Sequence, residues 1–158
     1  MNEQSILIHS EDDMLNFGRS IAKACSPGMV IFLEGELGAG KTTLVRGVLR
    51  AFDYVGAVKS PTYTLVENYE LDDKQIFHFD LYRLAAAEEL EYMGGRDCFQ
   101  ENSLSFIEWP QQGEGYLPKP DLIIEIQYQG LAQRQVKLKA LTVAGKRVIA
   151  VLTEDNGP

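Results

Sequence analysis

Gly35-Glu36-Leu37-Gly38-Ala39-Gly40-Lys41-Thr42 fits the pattern G-x-x-x-x-G-K-S/T, a loop that wraps phosphate groups. The pattern has physical meaning only between a strand and a helix, and both neighbours are present. Met29-Val30-Ile31-Phe32-Leu33 is an apolar run with the length of a buried strand. Lys41 to Phe52 places Leu44, Val45, Val48, Leu49 and Phe52 on one helical face. The residue types match the task. Glycines let successive backbone N–H groups turn toward phosphate oxygens, and the amino end of the following helix adds partial positive charge. Lys41 would reach the β- and γ-phosphates, the Thr42 hydroxyl would ligate Mg²⁺, and Thr43 would sit near the α-phosphate. The expectation is an α/β P-loop NTPase domain that binds a nucleoside triphosphate.

Outward from the loop, the chain reads as one such domain over 1–153, with 154–158 as a frayed tail. Its 158 residues, 45% hydrophobic, suffice for a single core. Ser5 to His9 reads as a first strand. Ser10 followed by Glu11, Asp12 and Asp13 reads as a helix N-cap and acidic first turn, with an inward stripe of Met14, Leu15, Gly18, Ile21, Ala22 and Cys25. An extended segment is expected from Ser60-Pro61 through Leu71, a turn at Asp72-Asp73-Lys74, and a returning strand over Gln75 to Asp80. That hairpin predicts a central sheet mixing parallel and antiparallel strands, flanked by helices. Glu88 to Met93 reads as a short helix, and Ser103 to Glu108 as a buried strand. Leu122 to Tyr128, Gln135 to Leu141 and Arg147 to Leu152 read as strands of a closing meander.

Composition narrows the function classes. A net charge of −8 disfavours a broad nucleic-acid face, so any contact with RNA would run through a partner. Cys25 and Cys98 belong to no C-x-x-C or His/Cys cluster, which predicts free thiols and no zinc site. No window approaches about 18 apolar residues and no leader pattern opens the chain, so a cytosolic protein without a membrane span is expected.

P-loop chemistry also requires an acid near Mg²⁺ at the carboxyl end of a neighbouring strand. Asp80 closes Ile76-Phe77-His78-Phe79-Asp80, and Glu108 closes Leu104-Ser105-Phe106-Ile107-Glu108. Position alone leaves open which touches the metal, which acts through water and which orients an attacking water. Ser60-Pro61-Thr62-Tyr63-Thr64 occupies the place of a γ-phosphate-sensing loop, although Thr-Tyr-Thr is equally ordinary strand chemistry. His9 and His78 read as structural, and Trp109 as either core or docking surface.

The loop, the Ser60 to Thr64 segment, Phe79-Asp80-Leu81-Tyr82-Arg83 and Glu108-Trp109-Pro110 together resemble the TsaE family over nearly the whole chain. The resemblance implies a weak, partner-dependent ATPase needed to make threonylcarbamoyladenosine in tRNAs that read codons beginning with adenosine, joining TsaB and TsaD. It implies that Leu37, Gly38, Ala39, Gly40, Lys41, Thr42 and Thr43 cradle the phosphates of ATP or ADP. Thr42 and Glu108 become the magnesium contacts, Asp80 the Walker B acid, Lys41, Asp80 and Glu108 the catalytic set, and Thr62 and Thr64 switch residues. Ser10 and Glu11 are expected near the base or ribose. No N-K-x-D guanine-reading motif occurs, in keeping with adenine. Two other classes stay open. One is a small-molecule kinase, against which Arg83, Arg96, Arg134 and Arg147 stand dispersed rather than gathered in a lid, and the other is a non-catalytic nucleotide-gated adaptor.

Overall fold

The computed structural model describes residues 2–54, 56–59, 61 and 63–155. Strands β1 (Glu3–Ile8), β2 (Val30–Gly35), β3 (Val66–Glu70), β4 (Gln75–Asp80), β5 (Ser103–Glu108), β6 (Leu122–Gln129) and β7 (Gln133–Ala140) form one sheet of order β1-β7-β6-β2-β5-β4-β3. The helices are α1 (Glu11–Ala24), α2 (Lys41–Ala51), the single turns α3 (Glu89–Tyr92) and α4 (Gly95–Cys98), and α5 (Val143–Asp155). β2 runs parallel to β5 and β6, and β4 parallel to β5, while the β3/β4, β6/β7 and β1/β7 pairs are antiparallel. This is the mixed α/β sheet expected from the P-loop and the hairpin.

Strand alternation sorts the side chains into two layers. Ile31, Leu33, Ile76, Leu104, Phe106 and Ile124 pack with α1, α2 and α5 in the main core. Val30, Phe77, Phe79 and Ile107 face the other way, onto Leu81, Leu84 and Leu90. All six residues of β5 and five of six in β4 are buried, as expected for strands covered on both faces. The Ser10 hydroxyl accepts the Asp13 N–H at 3.1 Å, so α1 starts at the expected cap. Both cysteines are free, and burial pushes the thiols up to about 12 at Cys25 and about 11 at Cys98.

The structure departs from the sequence reading in three places. Arg147 to Leu152 is not a strand but the middle of α5. An apolar run this short has no decisive period, and Val148, Ile149 and Leu152 are buried at helical spacing. The helix begins where the Thr142 hydroxyl donates to Asp121 Oδ1 at 2.8 Å and accepts the Gly145 N–H at 3.2 Å. The closing meander therefore reduces to β6 and β7, and α5 continues past the expected start of the tail, through Asp155. Second, the extended segment expected from Ser60 is a strand only from Val66. Pro61 accepts the Leu65 N–H at 2.8 Å, and Leu65 lies in the left-handed region at φ 69°, which breaks the extension. Third, the short helix expected over Glu88 to Met93 is followed by a separate helical turn, α4, that begins at Gly95.

Helices α1 and α2 pack closely, crossing on two glycines. A Cβ on Gly18 would lie 2.2 Å from the Leu44 carbonyl oxygen, and one on Gly47 2.2 Å from that of Leu15. Both obstacles are backbone, so a methyl can be admitted only by moving the helix that carries the P-loop. Gly18→Ala and Gly47→Ala are each expected to lower stability by about 1–3 kcal/mol in urea unfolding. The double variant should lose less than the sum, because one separation of the helices relieves both clashes.

Candidate nucleotide-binding site

β2 ends at Gly35, and α2 begins at Lys41 directly above it. Gly40, the N-cap, has φ 117° and no side-chain cap bond, so among the described residues the first turn of α2 is left without a side-chain cap. A side chain at Gly40 would require an unfavourable backbone and would meet Met14 at 3.0 Å. The Lys41 ammonium lies in the interior, 4% exposed. It donates to the Gly35 carbonyl at 2.6 Å, stands 3.9 Å from Glu108 Oε1, and lies 4.2 Å from the centre of the Trp109 ring. Burial draws its pKa below the usual lysine value, while Glu108 and Asp80 push it back up.

The acids reach this ammonium through strand geometry. Asp80 and Glu108 are register partners at the carboxyl ends of β4 and β5. Two-residue periodicity places them on the same face as Ile76 and Phe106, the face that packs against α2. Glu108 Oε2 accepts the Thr42 hydroxyl at 3.3 Å and is paired with His78 Nε2 at 2.5 Å. Asp80 Oδ1 accepts the Tyr82 N–H at 3.1 Å. Burial raises the Asp80 pKa above the usual aspartate value, against the lowering effect of the Tyr82 N–H. Glu108 raises it further, while His78 and Lys41 oppose. Trp109, in the left-handed region at φ 56°, turns the chain sharply after Glu108, and its ring packs tilted against Tyr82 with centroids 4.9 Å apart.

On the other side of the loop, Ser10, Glu11, Gly38, Ala39, Gly40 and Thr43 line one cavity of about 170 Å³, together with Met14, Ala132 and Arg134. Glu11, expected near base or ribose, thus opens onto the P-loop, and its Oε1 lies 3.8 Å from Arg46. Leu37 is exposed on the crest of the loop. Thr62, the first switch residue, and Ser60 lie outside the described residues. Thr64 is exposed and donates to Glu67 Oε1 at 3.0 Å. Its segment is nevertheless tied to the site, because Leu65 accepts the Asp80 N–H at 2.9 Å and Arg83 lies over the Tyr63 ring at 4.9 Å.

Three participants escaped the sequence reading. His78, read as structural, belongs to the acid cluster, and its position two residues before Asp80 on a strand was the available signal. Tyr128 and Arg134, register partners at the end of the β6/β7 hairpin, hold the P-loop from outside. Tyr128 donates to the Leu37 carbonyl at 2.9 Å, Arg134 Nε donates to that of Ala39 at 3.1 Å, and the guanidinium stacks on the Tyr128 ring at 4.2 Å. No local pattern announces these contacts, which join residues more than ninety positions apart.

The donor set fits the ligands that the loop implies. The uncapped amino end of α2 suits phosphate, and the Thr42 hydroxyl beside the Glu108 carboxylate offers hard oxygen donors suited to magnesium. Among the described residues no group of three or more His, Cys, Asp and Glu side chains could hold a metal by itself, so further ligands would come from phosphate and water. No described helix is long and apolar enough to cross a membrane.

Fold and loop together define a nucleotide-binding P-loop protein of the α/β class. The model of the family described as threonylcarbamoyl adenosine biosynthesis protein TsaE matches residues 8–136, and the chain belongs to that family. The tRNA threonylcarbamoyladenosine biosynthesis protein TsaE of Haemophilus influenzae is 46% identical over 151 residues, covering 92% of this chain and 95% of the relative. The protein of that name from Aquifex aeolicus is 33% identical over 138 residues, covering 85% and 95%. The crystal structure of Bacillus subtilis YdiB superposes with a TM-score of 0.80 over 98% of this chain and 97% of its own, at 23% identity, which supports the fold.

The raised pKa of Asp80 has a signed consequence. The unfolded chain releases this proton near the ordinary aspartate value of 3.8, the folded chain only at higher pH, so stability falls as pH rises through that window. Asp80→Asn retains the acceptor for the Tyr82 N–H and removes the charge. In buffer free of divalent cations it is expected to raise the thermal midpoint at pH 7 by about 2–4 °C. The gain should fade as pH falls toward about 4. Scanning fluorimetry across that range checks it, and a gain independent of pH would point away from the buried charge.

Proposed function

We propose that this chain binds ATP with Mg²⁺, hydrolyses it slowly, and acts as a nucleotide-driven switch on TsaB and TsaD during threonylcarbamoylation of tRNA adenosine. The tRNA itself would be reached through those partners. The observation that carries the reading is the gathering of buried Lys41 and Glu108 around the Thr42 hydroxyl at the P-loop of a TsaE-family chain.

Each residue then has a task. The Lys41 ammonium, kept charged by its carboxylate neighbours despite burial, leaves the Gly35 carbonyl for phosphate oxygens and offsets charge on the transferring group. The first-turn N–H groups of α2 hold the remaining phosphate oxygens. Thr42 and Glu108 would hold the magnesium, which would supply neutralisation of phosphate charge. Asp80, with Oδ1 occupied by the Tyr82 N–H, has Oδ2 free to orient water and accept its proton, and its raised pKa makes it a stronger base than an ordinary aspartate. The base or ribose occupies the cavity beside Ser10 and Glu11. The switch follows from the link between Leu65 and Asp80, through which the Thr62 and Thr64 segment relaxes after hydrolysis and alters affinity for the partner proteins.

ATP turnover of the purified chain, alone and with TsaB and TsaD, tests this reading when scored together with modified adenosine in tRNA. Lys41→Ala is expected to lower turnover by at least about 100-fold and to abolish modification. Persistence of modification in that variant would overturn the proposal. With Glu108→Gln, loss of hydrolysis alongside intact nucleotide binding and intact tRNA modification would favour the nucleotide-gated adaptor.

A further inference from the structure

We infer that His78 is a positioning residue for Glu108, setting the carboxylate toward Thr42 and away from a closed ion pair with Lys41. The inference rests on the magnesium-nucleotide reading of the site. Among the described residues Glu108 has three polar side-chain neighbours, at different distances. Thr42 Oγ1 is 3.3 Å away and Lys41 Nζ 3.9 Å, but His78 Nε2 is only 2.5 Å from Oε2. Thr42 and Lys41 stand on the phosphate loop and have phosphates and magnesium to serve. His78 stands on β4, is 0% exposed, and has no other polar contact among the described residues, since its Nδ1 lacks a partner.

The backbone makes this contact a fixed one. In the parallel β4/β5 ladder His78 lies opposite Phe106, and Asp80 lies opposite Glu108. The imidazole therefore reaches diagonally across the ladder to the carboxylate two positions further along the same face. A position needing only bulk would take an apolar side chain, as its register partner Phe106 does. An imidazole there leaves a ring nitrogen buried and unsatisfied, which native interiors avoid unless the group serves another purpose. The purpose visible here is geometric. The ring N–H on Nε2 pins Oε2 beside the Thr42 hydroxyl, while Oε1 stays 3.9 Å from the ammonium, beyond hydrogen-bond reach. Without that tether, Glu108 would be drawn into direct contact with the buried Lys41. The same swing would withdraw a ligand from the cation and occupy the ammonium that phosphate needs. Hydrogen-bonding groups behind a ligating carboxylate act on metal affinity in this way.

The test uses the full chain with ADP and Mn²⁺, an oxygen-seeking stand-in for magnesium that is read directly by electron paramagnetic resonance. His78→Leu removes the donor. His78→Gln keeps an N–H donor at similar reach, and His78→Asn keeps an amide too short to arrive. His78→Leu is expected to weaken Mn²⁺ binding by about 10–100-fold and to lower kcat with it, while ADP affinity measured without metal stays unchanged. His78→Gln should recover most of the loss, and His78→Asn should not. In a Glu108→Gln background, His78→Leu should add less than about two-fold, because the tether has nothing left to hold. Thermal midpoints identify variants that fail to fold. If His78→Leu is among them, the contrast between Gln and Asn decides. Wild-type Mn²⁺ affinity in His78→Leu, equal weakening by Gln and Asn, or an undiminished effect in the Glu108→Gln background would each overturn the inference. A wild-type chain that binds no Mn²⁺ with ADP would instead overturn the reading of the site on which it rests.

Discussion

A lysine ammonium buried beside two carboxylates is the constraint around which this molecule is built. Lys41 is sequestered with Glu108 and Asp80 close by, and an unpaired charge at that depth would be strongly unfavourable. The loop carrying the lysine and the strands carrying the acids must therefore end in the same place. The parallel arrangement of β2, β5 and β4 achieves this, since parallel strands bring their carboxyl ends to one edge of the sheet.

The P-loop is held from both sides. Beneath it, α2 is locked to α1 through the contact of Gly18 and Gly47, so the helix that presents Lys41 and Thr42 has little room to slide. Outside it, the β6/β7 hairpin grips the Leu37 and Ala39 carbonyls through Tyr128 and Arg134. These tethers occupy the Leu37 and Ala39 carbonyls, while the Ala39 N–H donates to the Glu36 carbonyl at 3.1 Å within the loop. Backbone strain accompanies the site: Leu65 and Trp109, both bulky, adopt left-handed conformations on either side of Asp80 and Glu108. Such conformations persist where surrounding contacts outweigh their cost. Here those contacts are the bond from Asp80 to Leu65 and the tilted packing of Trp109 against Tyr82.

Legibility in the sequence followed the range of the interactions. The strand before the P-loop, the helix after it and the capped first helix were readable because each is specified within about a dozen neighbouring residues. Asp80 and Glu108 were readable as site acids because each closes an apolar run, but their bond partners were not. The last helix was misread because Arg147 to Leu152 satisfies both periods equally well, and the decisive cap at Thr142 depends on Asp121, twenty-one residues earlier. Tyr128 and Arg134 left no trace, since a tyrosine and an arginine in a polar hairpin look like any solvated surface pair.

His78 marks the boundary most clearly. Alternation along β4 already put it on the face of Asp80, yet its meaning depended on which strand lay alongside and in what register. By itself, the sequence determined a phosphate loop between a strand and a helix, the mixed α/β class, and two acids at strand ends, because these follow from local spacing and the period of the backbone. Tertiary structure alone decided that Glu108 meets Thr42 and His78, that Lys41 is buried against Trp109, and that a distant hairpin braces the loop. Those contacts depend on strand order and register, which are settled only when the whole core packs and every buried charge has to find its partner.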